Sequence, residues 1–271
     1  MASNQEKMRG HYGKDPTKED ARHRKSRAGS MEFRFTKLLL DSYITPEARV
    51  AEFGCATGYY AEHWQGKCKS YLGIDIVQEN VGFFNAKGLA NANAQLGDAT
   101  NCPELADESF DVVLCLGPMY HLTPEGRSLA MAEMARICKP GGVLAFAYIN
   151  KMGVVYHAMA NGWGNKLLPF WKRLRQNCYP NEAGNQAIFA GVNDFNDYFF
   201  FTMPEDMEAL AATCGLQVVQ NAGVDLCMNG RKLEAMGEAQ FACYLELAEE
   251  LLKYPSCTGM ANHALMICGK G

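Results

Sequence analysis

Val50-Ala51 leads into Glu52-Phe53-Gly54-Cys55-Ala56-Thr57-Gly58, and an aromatic pair, Tyr59-Tyr60, follows. An apolar strand that breaks at glycine and resumes as a helix turns backbone N–H groups past the sheet edge, where they suit a nucleotide-like ligand. About twenty residues after Gly54, Asp75 closes a second apolar run, Tyr71-Leu72-Gly73-Ile74, at the interval where a carboxylate meets a ribose in mononucleotide-binding sheets. One carboxylate can accept from both ribose hydroxyls. The other use of Asp75 is as a helix N-cap for the segment from Val77 onward. A third acid follows a third short run, in Gly97-Asp98.

The spacing narrows the ligand. A dinucleotide fingerprint needs G-x-G-x-x-G, whereas Ala56 stands at the middle position and no glycine occurs at 59 to 61. A Walker A loop needs Gly-Lys-Ser/Thr, and Gly58 precedes two tyrosines. Both phosphate-binding readings lose ground, and an adenosine cofactor stands as the expectation beside an ordinary strand-to-helix turn. The eleven cysteines lie singly, mostly in apolar runs and never as C-x-x-C, so buried thiols are expected and no metal site is assigned. The formal charge of −4 is uneven: residues 1 to 37 carry +5 and the rest −9. That basic stretch is interleaved with Glu19, Asp20 and Glu32, which fits a solvated helix folded over the core better than an RNA-binding tail. No apolar run reaches 18 residues and the first residues lack a signal-peptide pattern, so a soluble, cytoplasmic protein without membrane contact is expected.

The elements that must hold these residues alternate. Strands are expected at Val50–Phe53, Lys69–Asp75, Ala94–Ala99, Phe110–Gly117 and, after a Lys139-Pro140-Gly141-Gly142 turn, Val143–Ile149; helices at Tyr59–Gln65, Val77–Lys87 and Pro124–Cys138 lie between them. A helix at Pro204–Cys214, a strand at Leu216–Val224, a long helix at Leu233–Tyr254 and a closing antiparallel strand at Ala264–Cys268 complete the chain. The fold class is α/β, a doubly wound, mostly parallel seven-stranded sheet. Its parts are an N-terminal helical arm (1–40), a cofactor-binding core (41–150), an aromatic-rich helical cap insert (151–203) and the C-terminal part of the core sheet (204–271).

In that order of elements, the chain resembles the class I S-adenosylmethionine-dependent methyltransferases. Glu52 to Gly58 is similar to the family's glycine motif, and Asp75, Gly97-Asp98 and Lys139-Pro140-Gly141-Gly142 to its later signposts. Ala56 departs from the glycine common there. Leu116-Gly117-Pro118-Met119-Tyr120-His121-Leu122, Ala261-Asn262-His263 and the N-terminal Glu32-Phe33 and Thr36 are similar to a bacterial small-molecule branch. The resemblance implies S-adenosylmethionine as cofactor. Gly54, Cys55, Ala56 and Gly58 form the loop beside the methionine moiety, Glu52 fixes it, and Asp75 accepts from the ribose. Ile76 packs on adenine, Asp98 takes the adenine amino group with Ala99 beside it, and Leu116 and Gly117 line the floor. Tyr12 on the arm reaches the cofactor carboxylate.

Methyl transfer from a sulfonium needs alignment, desolvation and sometimes a proton acceptor. His121, just past the fourth strand, is the first candidate for general base, with a histidine hydrogen-bonded in the pocket wall as the plainer reading. Tyr120 and His263 are the next candidates, and Asn262 could orient either. The expected acceptor is an unidentified small molecule with an O, N, S or C nucleophile. An RNA methyltransferase and a non-catalytic cofactor-binding regulator are the alternatives. Nucleic-acid enzymes of the Asn/Asp-Pro-Pro-Tyr/Phe and Pro-Cys types are disfavoured because position 116 onward reads Leu-Gly-Pro-Met.

Overall fold

The computed structural model describes residues 4–160, 168, 200–226 and 230–271. Seven strands, β1 (Arg49–Phe53), β2 (Ser70–Asp75), β3 (Ala92–Leu96), β4 (Phe110–Cys115), β5 (Cys138–Ile149), β6 (Leu216–Gly223) and β7 (His263–Lys270), form one sheet in the order β3-β2-β1-β4-β5-β7-β6. The first five are parallel. The closing strand is antiparallel, as expected, and inserts between β5 and β6 to pair with both.

The central strands are continuous apolar runs because both sheet faces are covered. The two-residue period sends Val112 and Leu114 into one apolar cluster, with Phe35, Trp64 and Phe84, and sends Val113 and Cys115 into the other, with Phe53, Met131, Met134 and Phe146. All described cysteines are free thiols, and six of them are buried.

Three expected elements differ. The third strand ends at Leu96 rather than Ala99, because Asp98 accepts from Thr100 N and bends the chain out of the sheet. Lys139-Pro140-Gly141-Gly142 is no separate turn but an irregular start to β5. Cys138 pairs with Phe110, the register shifts before Val112, and Gly141 takes φ 75°. The helix expected at Leu233–Tyr254 is interrupted: helices at Gly230–Glu234 and Glu238–Leu251 are separated at Gly237, which is extended (φ −68°, ψ 160°), and a further short helix, Pro255–Thr258, follows.

The N-terminal segment folds into four helices, α1 (Asn4–Tyr12), α2 (Pro16–Asp20), α3 (Arg22–Lys25) and α4 (Arg27–Leu40). Ser26 caps α4 by accepting from Gly29 N (3.1 Å), and Met31, Phe35, Thr36 and Leu40 form its buried face. Of the aromatic-rich stretch, Lys151–Ala160 is a helix and Phe200 and Phe201 are buried. Residues 161–167 and 169–199 of the expected cap lie outside the described residues.

Candidate active site

Strands β1 and β4 are neighbours whose chains depart to opposite sides of the sheet, to β2 and to β5, so a crevice opens at their carboxyl ends. This cleft has about 870 Å³ of open space, part of it continuous with solvent. Residues at the ends of β1, β2, β3 and β4 line it, and α1 lies along it with Gln5, Met8 and Tyr12 in the wall.

The glycine turn works differently from the sequence expectation. Gly54 N and Cys55 N both donate to Ile74 O (2.7 and 3.3 Å), Ala56 N donates to Asp75 Oδ2 (2.8 Å), and Gly58 N donates to Cys55 O. These amides are taken up inside the protein; they shape the loop and hold Asp75. Gly54 needs its left-handed backbone (φ 70°), and a Cβ there would lie 2.5 Å from Pro118 Cδ. A Cβ on Gly58 would lie 2.3 Å from the Phe84 ring. Ala56 is also left-handed (φ 46°), a conformation with a steric cost for any residue bearing a Cβ.

Asp75 is 7% exposed and lines the cleft, with Oδ2 on Ala56 N and Oδ1 on Val77 N, both at 2.8 Å. Its contact with Val77 N is an Asx-type turn and not an N-cap, since the next helix begins at Gln78 with Val77 at its cap position. Burial pushes its pKa up, against the two amide donors and Asn80, which pull it down. Each oxygen retains room for a further donor. Beside it Asn80, also in the wall, has a buried Oδ1 without a hydrogen-bond partner. Unmet acceptors of this kind fit a diol. Further along, Asp98 is fixed through Oδ1 by Thr100 N and Oγ1 (2.9 Å each), with Ile76, Val77 and Ala99 as apolar neighbours in the wall.

At the other end, Leu116, Gly117 and Pro118 form the floor. A 3₁₀ turn, Pro118–His121, buries Tyr120 and His121. Arg127, itself buried, donates to Met119 O and Phe200 O (2.9 Å each) and pins that turn to the start of the C-terminal segment. His121 Nε2 and Tyr12 OH are 3.2 Å apart, so the residue expected as general base and the one expected at the cofactor carboxylate touch one another. Burial pushes the Tyr120 phenol up to about 12. Arg22, unremarked in the sequence, is the one Lys or Arg among the described residues of the wall; it lies 3.3 Å from Glu19 and 3.4 Å from Tyr59 OH.

Glu52, Cys55, Gly58 and His263 stand outside the wall. Glu52 is buried, accepts from Tyr71 OH (2.8 Å), and is pushed up to about 8 by desolvation against that hydrogen bond. His263 opens β7 next to the end of β5, where Asp225 accepts from Asn262 N, His263 N and His263 Nδ1 (2.8, 3.1 and 2.7 Å). Burial works against its charge, but the Glu32 and Asp225 carboxylates outweigh this and raise it to about 9. At neutral pH it is an imidazolium, which holds a proton rather than taking one. Asp225 was the missed partner; its only sequence signal is an acid just beyond a strand end. Among the described residues no group of three or more His, Cys, Asp or Glu could hold a metal ion, and no helix is long and apolar enough to cross a membrane.

A doubly wound sheet with a carboxylate at the end of β2 and a crevice at the β1/β4 switch point defines a Rossmann-like nucleoside-binding protein. Residues 51–146 match the family model described as a methyltransferase domain. The chain is 28% identical over 126 residues to a malonyl-[acyl-carrier protein] O-methyltransferase of Pectobacterium atrosepticum, covering 46% of this chain and 44% of that protein. It is 33% identical over 109 residues to a ubiquinone biosynthesis O-methyltransferase of Hahella chejuensis, covering 39% and 45%. The matched region spans about half the length of these curated relatives. Its fold is similar to that of magnesium protoporphyrin IX methyltransferase from Synechocystis PCC 6803, with TM-score 0.59 and 11% identity over 99% of this chain and 100% of that one. Residues 51–146 therefore carry the methyltransferase domain.

Proposed function

We propose that the chain binds S-adenosylmethionine in the cleft and transfers a methyl group to a small-molecule acceptor. The observation that carries this reading is Asp75, held by two backbone amides at the cleft wall beside the unpartnered Asn80 Oδ1. Together they accept from the ribose diol. Asp98 accepts from the adenine amino group between Ile76 and Ala99, and Gly54, Ala56, Leu116 and Gly117 shape the methionine end. Arg22 supplies the cation for the cofactor carboxylate, a task the sequence assigned to Tyr12, whose hydroxyl meets His121 instead.

S-adenosylmethionine supplies an already activated methyl group, which leaves the protein to align the acceptor, exclude water and accept a proton. His121 takes that proton in this reading, with Tyr12 OH on its Nε2 and the Pro118–His121 turn fixed by Arg127. Tyr59 and Tyr120 line the same cleft and bound the space left for the acceptor. In domain terms, residues 41–150 and 204–271 build the core and the arm covers the cofactor. A small molecule is favoured over RNA because phosphate contacts need cations, and Arg22, the lone cation in the described wall, is already beside Glu19.

Isothermal titration with S-adenosylmethionine and S-adenosylhomocysteine tests this reading. Binding in the micromolar range, near −8 kcal/mol, that is lost in Asp75→Ala is the expected result. No binding to the folded wild-type protein overturns it.

A further inference from the structure

Asp98 presents Oδ2 to the cleft while Thr100 fixes Oδ1, and in this structure Oδ2 already has a donor: Gln5 Nε2, at 2.5 Å. Gln5 is exposed on α1, and three neighbours on the same helix seat it along the cleft. Arg9 Nε donates to Ile76 O (3.1 Å), Met8 is buried in the wall, and Tyr12 meets His121. Gln5 and Tyr12 are seven residues apart, about two helical turns or roughly 10 Å. One helix therefore runs from the carboxylate assigned to adenine to the histidine assigned to the methyl group.

The amide NH₂ of glutamine and the exocyclic NH₂ of adenine are both planar donors on an sp² carbon, and each suits a carboxylate acceptor in the same way. We infer that Gln5 is a built-in competitor for the adenine subsite: its carboxamide occupies the Asp98 oxygen that the nucleobase requires, and it turns out toward solvent when the nucleobase seats. This inference rests on the cleft being the cofactor site. In the free protein the contact keeps Asp98 paired and oriented. On binding, one charge-assisted hydrogen bond is exchanged for another, so recognition of adenine at Asp98 adds little net affinity. Because S-adenosylmethionine and S-adenosylhomocysteine share the adenine, the competition weakens both, and it eases release of the demethylated product.

The test is titration of the full chain with S-adenosylhomocysteine and, separately, with adenosine, in the wild type, Gln5→Ala and Gln5→Met. Amide hydrogen exchange over residues 4–12 is followed in the ligand-free proteins. The methionine variant keeps side-chain length and helix propensity while removing the donor. Both variants are expected to bind both ligands about tenfold more tightly, the scale of one charge-assisted hydrogen bond at an exposed site, and to exchange faster over α1 when ligand-free. Unchanged affinity would mean that Gln5 and adenine share the carboxylate. Weaker binding would make Gln5 a cofactor contact. Either result overturns the inference. Absence of S-adenosylhomocysteine binding in every variant, with the exchange difference still present, would instead count against the cofactor site itself.

Discussion

Glu52 is a carboxylic acid at the end of the central strand, 1% exposed, with Tyr71 OH as its hydrogen-bond donor. Desolvation is the largest influence on it, the Tyr71 hydrogen bond opposes that, and Asp75 adds to it, so the group titrates near 8 in the folded chain and near its ordinary value when unfolded. Between those two values the unfolded chain binds fewer protons than the folded one, so stability falls as pH rises. At 1.36 kcal/mol per unit of difference, this one group costs about 2 kcal/mol at pH 6 and about 4 kcal/mol at pH 8, a loss of roughly 2 kcal/mol across that interval. Glu52→Gln keeps an acceptor for Tyr71 and removes the titration. Thermal and urea unfolding of both proteins from pH 6 to 8 should show the variant gaining on the wild type by about 2 kcal/mol, or roughly 5 °C in Tm for a chain of this size. His263, raised to about 9, also loses stabilisation as pH rises through this range, but it is common to both proteins and cancels in the difference. Parallel curves for the two proteins would show that Glu52 ionises normally and that desolvation does not govern it.

Three substitutions around the cleft have further expected outcomes. Gly54→Ala should destabilise the fold by about 2–4 kcal/mol in urea unfolding, because the new Cβ meets the rigid Pro118 ring in a left-handed turn. Ala56→Gly, two residues on, should change stability by less than about 1 kcal/mol, since relief of its left-handed strain is set against the greater chain entropy of glycine. An equal loss in the two variants would refute the assignment of strain. His121→Ala should lower turnover by about 10²–10⁴ once an acceptor is in hand, the usual contribution of a general base, while leaving the titrated affinity for S-adenosylhomocysteine within a factor of a few. A loss confined to cofactor affinity would place His121 in the cofactor wall alone.

Much of the fold was legible because its determinants are local. Apolar runs at Val50–Phe53 and Phe110–Cys115, glycines at the turn, and acids at strand ends need only the period of a strand and the steric freedom of a missing Cβ to announce themselves. Where the chain departed from its pattern, a local competitor prevailed: the Asp98 turn shortened β3, and Gly237 broke the helix expected over Leu233–Tyr254. Asp75 could be placed in the site from spacing alone, but not the fact that Ala56 N and Val77 N hold it, which leaves the glycine turn as a support for the carboxylate rather than a cradle of free amides.

The side-chain pairings at the carboxyl edge of the sheet lie far apart in the chain. Asp225 and His263 are separated by 38 residues, Gln5 and Asp98 by 93, and Tyr12 and His121 by 109. Hydrogen bonds over such separations exist only after the sheet has brought its carboxyl ends together and α1 has been laid across them. No residue type or spacing encodes which donor meets which carboxylate, and the burial that moves Glu52 and His263 in pKa is a property of the packed interior. The sequence by itself determined the doubly wound sheet and the acids at its carboxyl edge, Asp75 among them, because each follows from backbone sterics and apolar periodicity within a few residues. Tertiary structure alone decided which side chains face the cleft and which of them are already engaged, because only packing can set the distance between groups that the chain keeps apart.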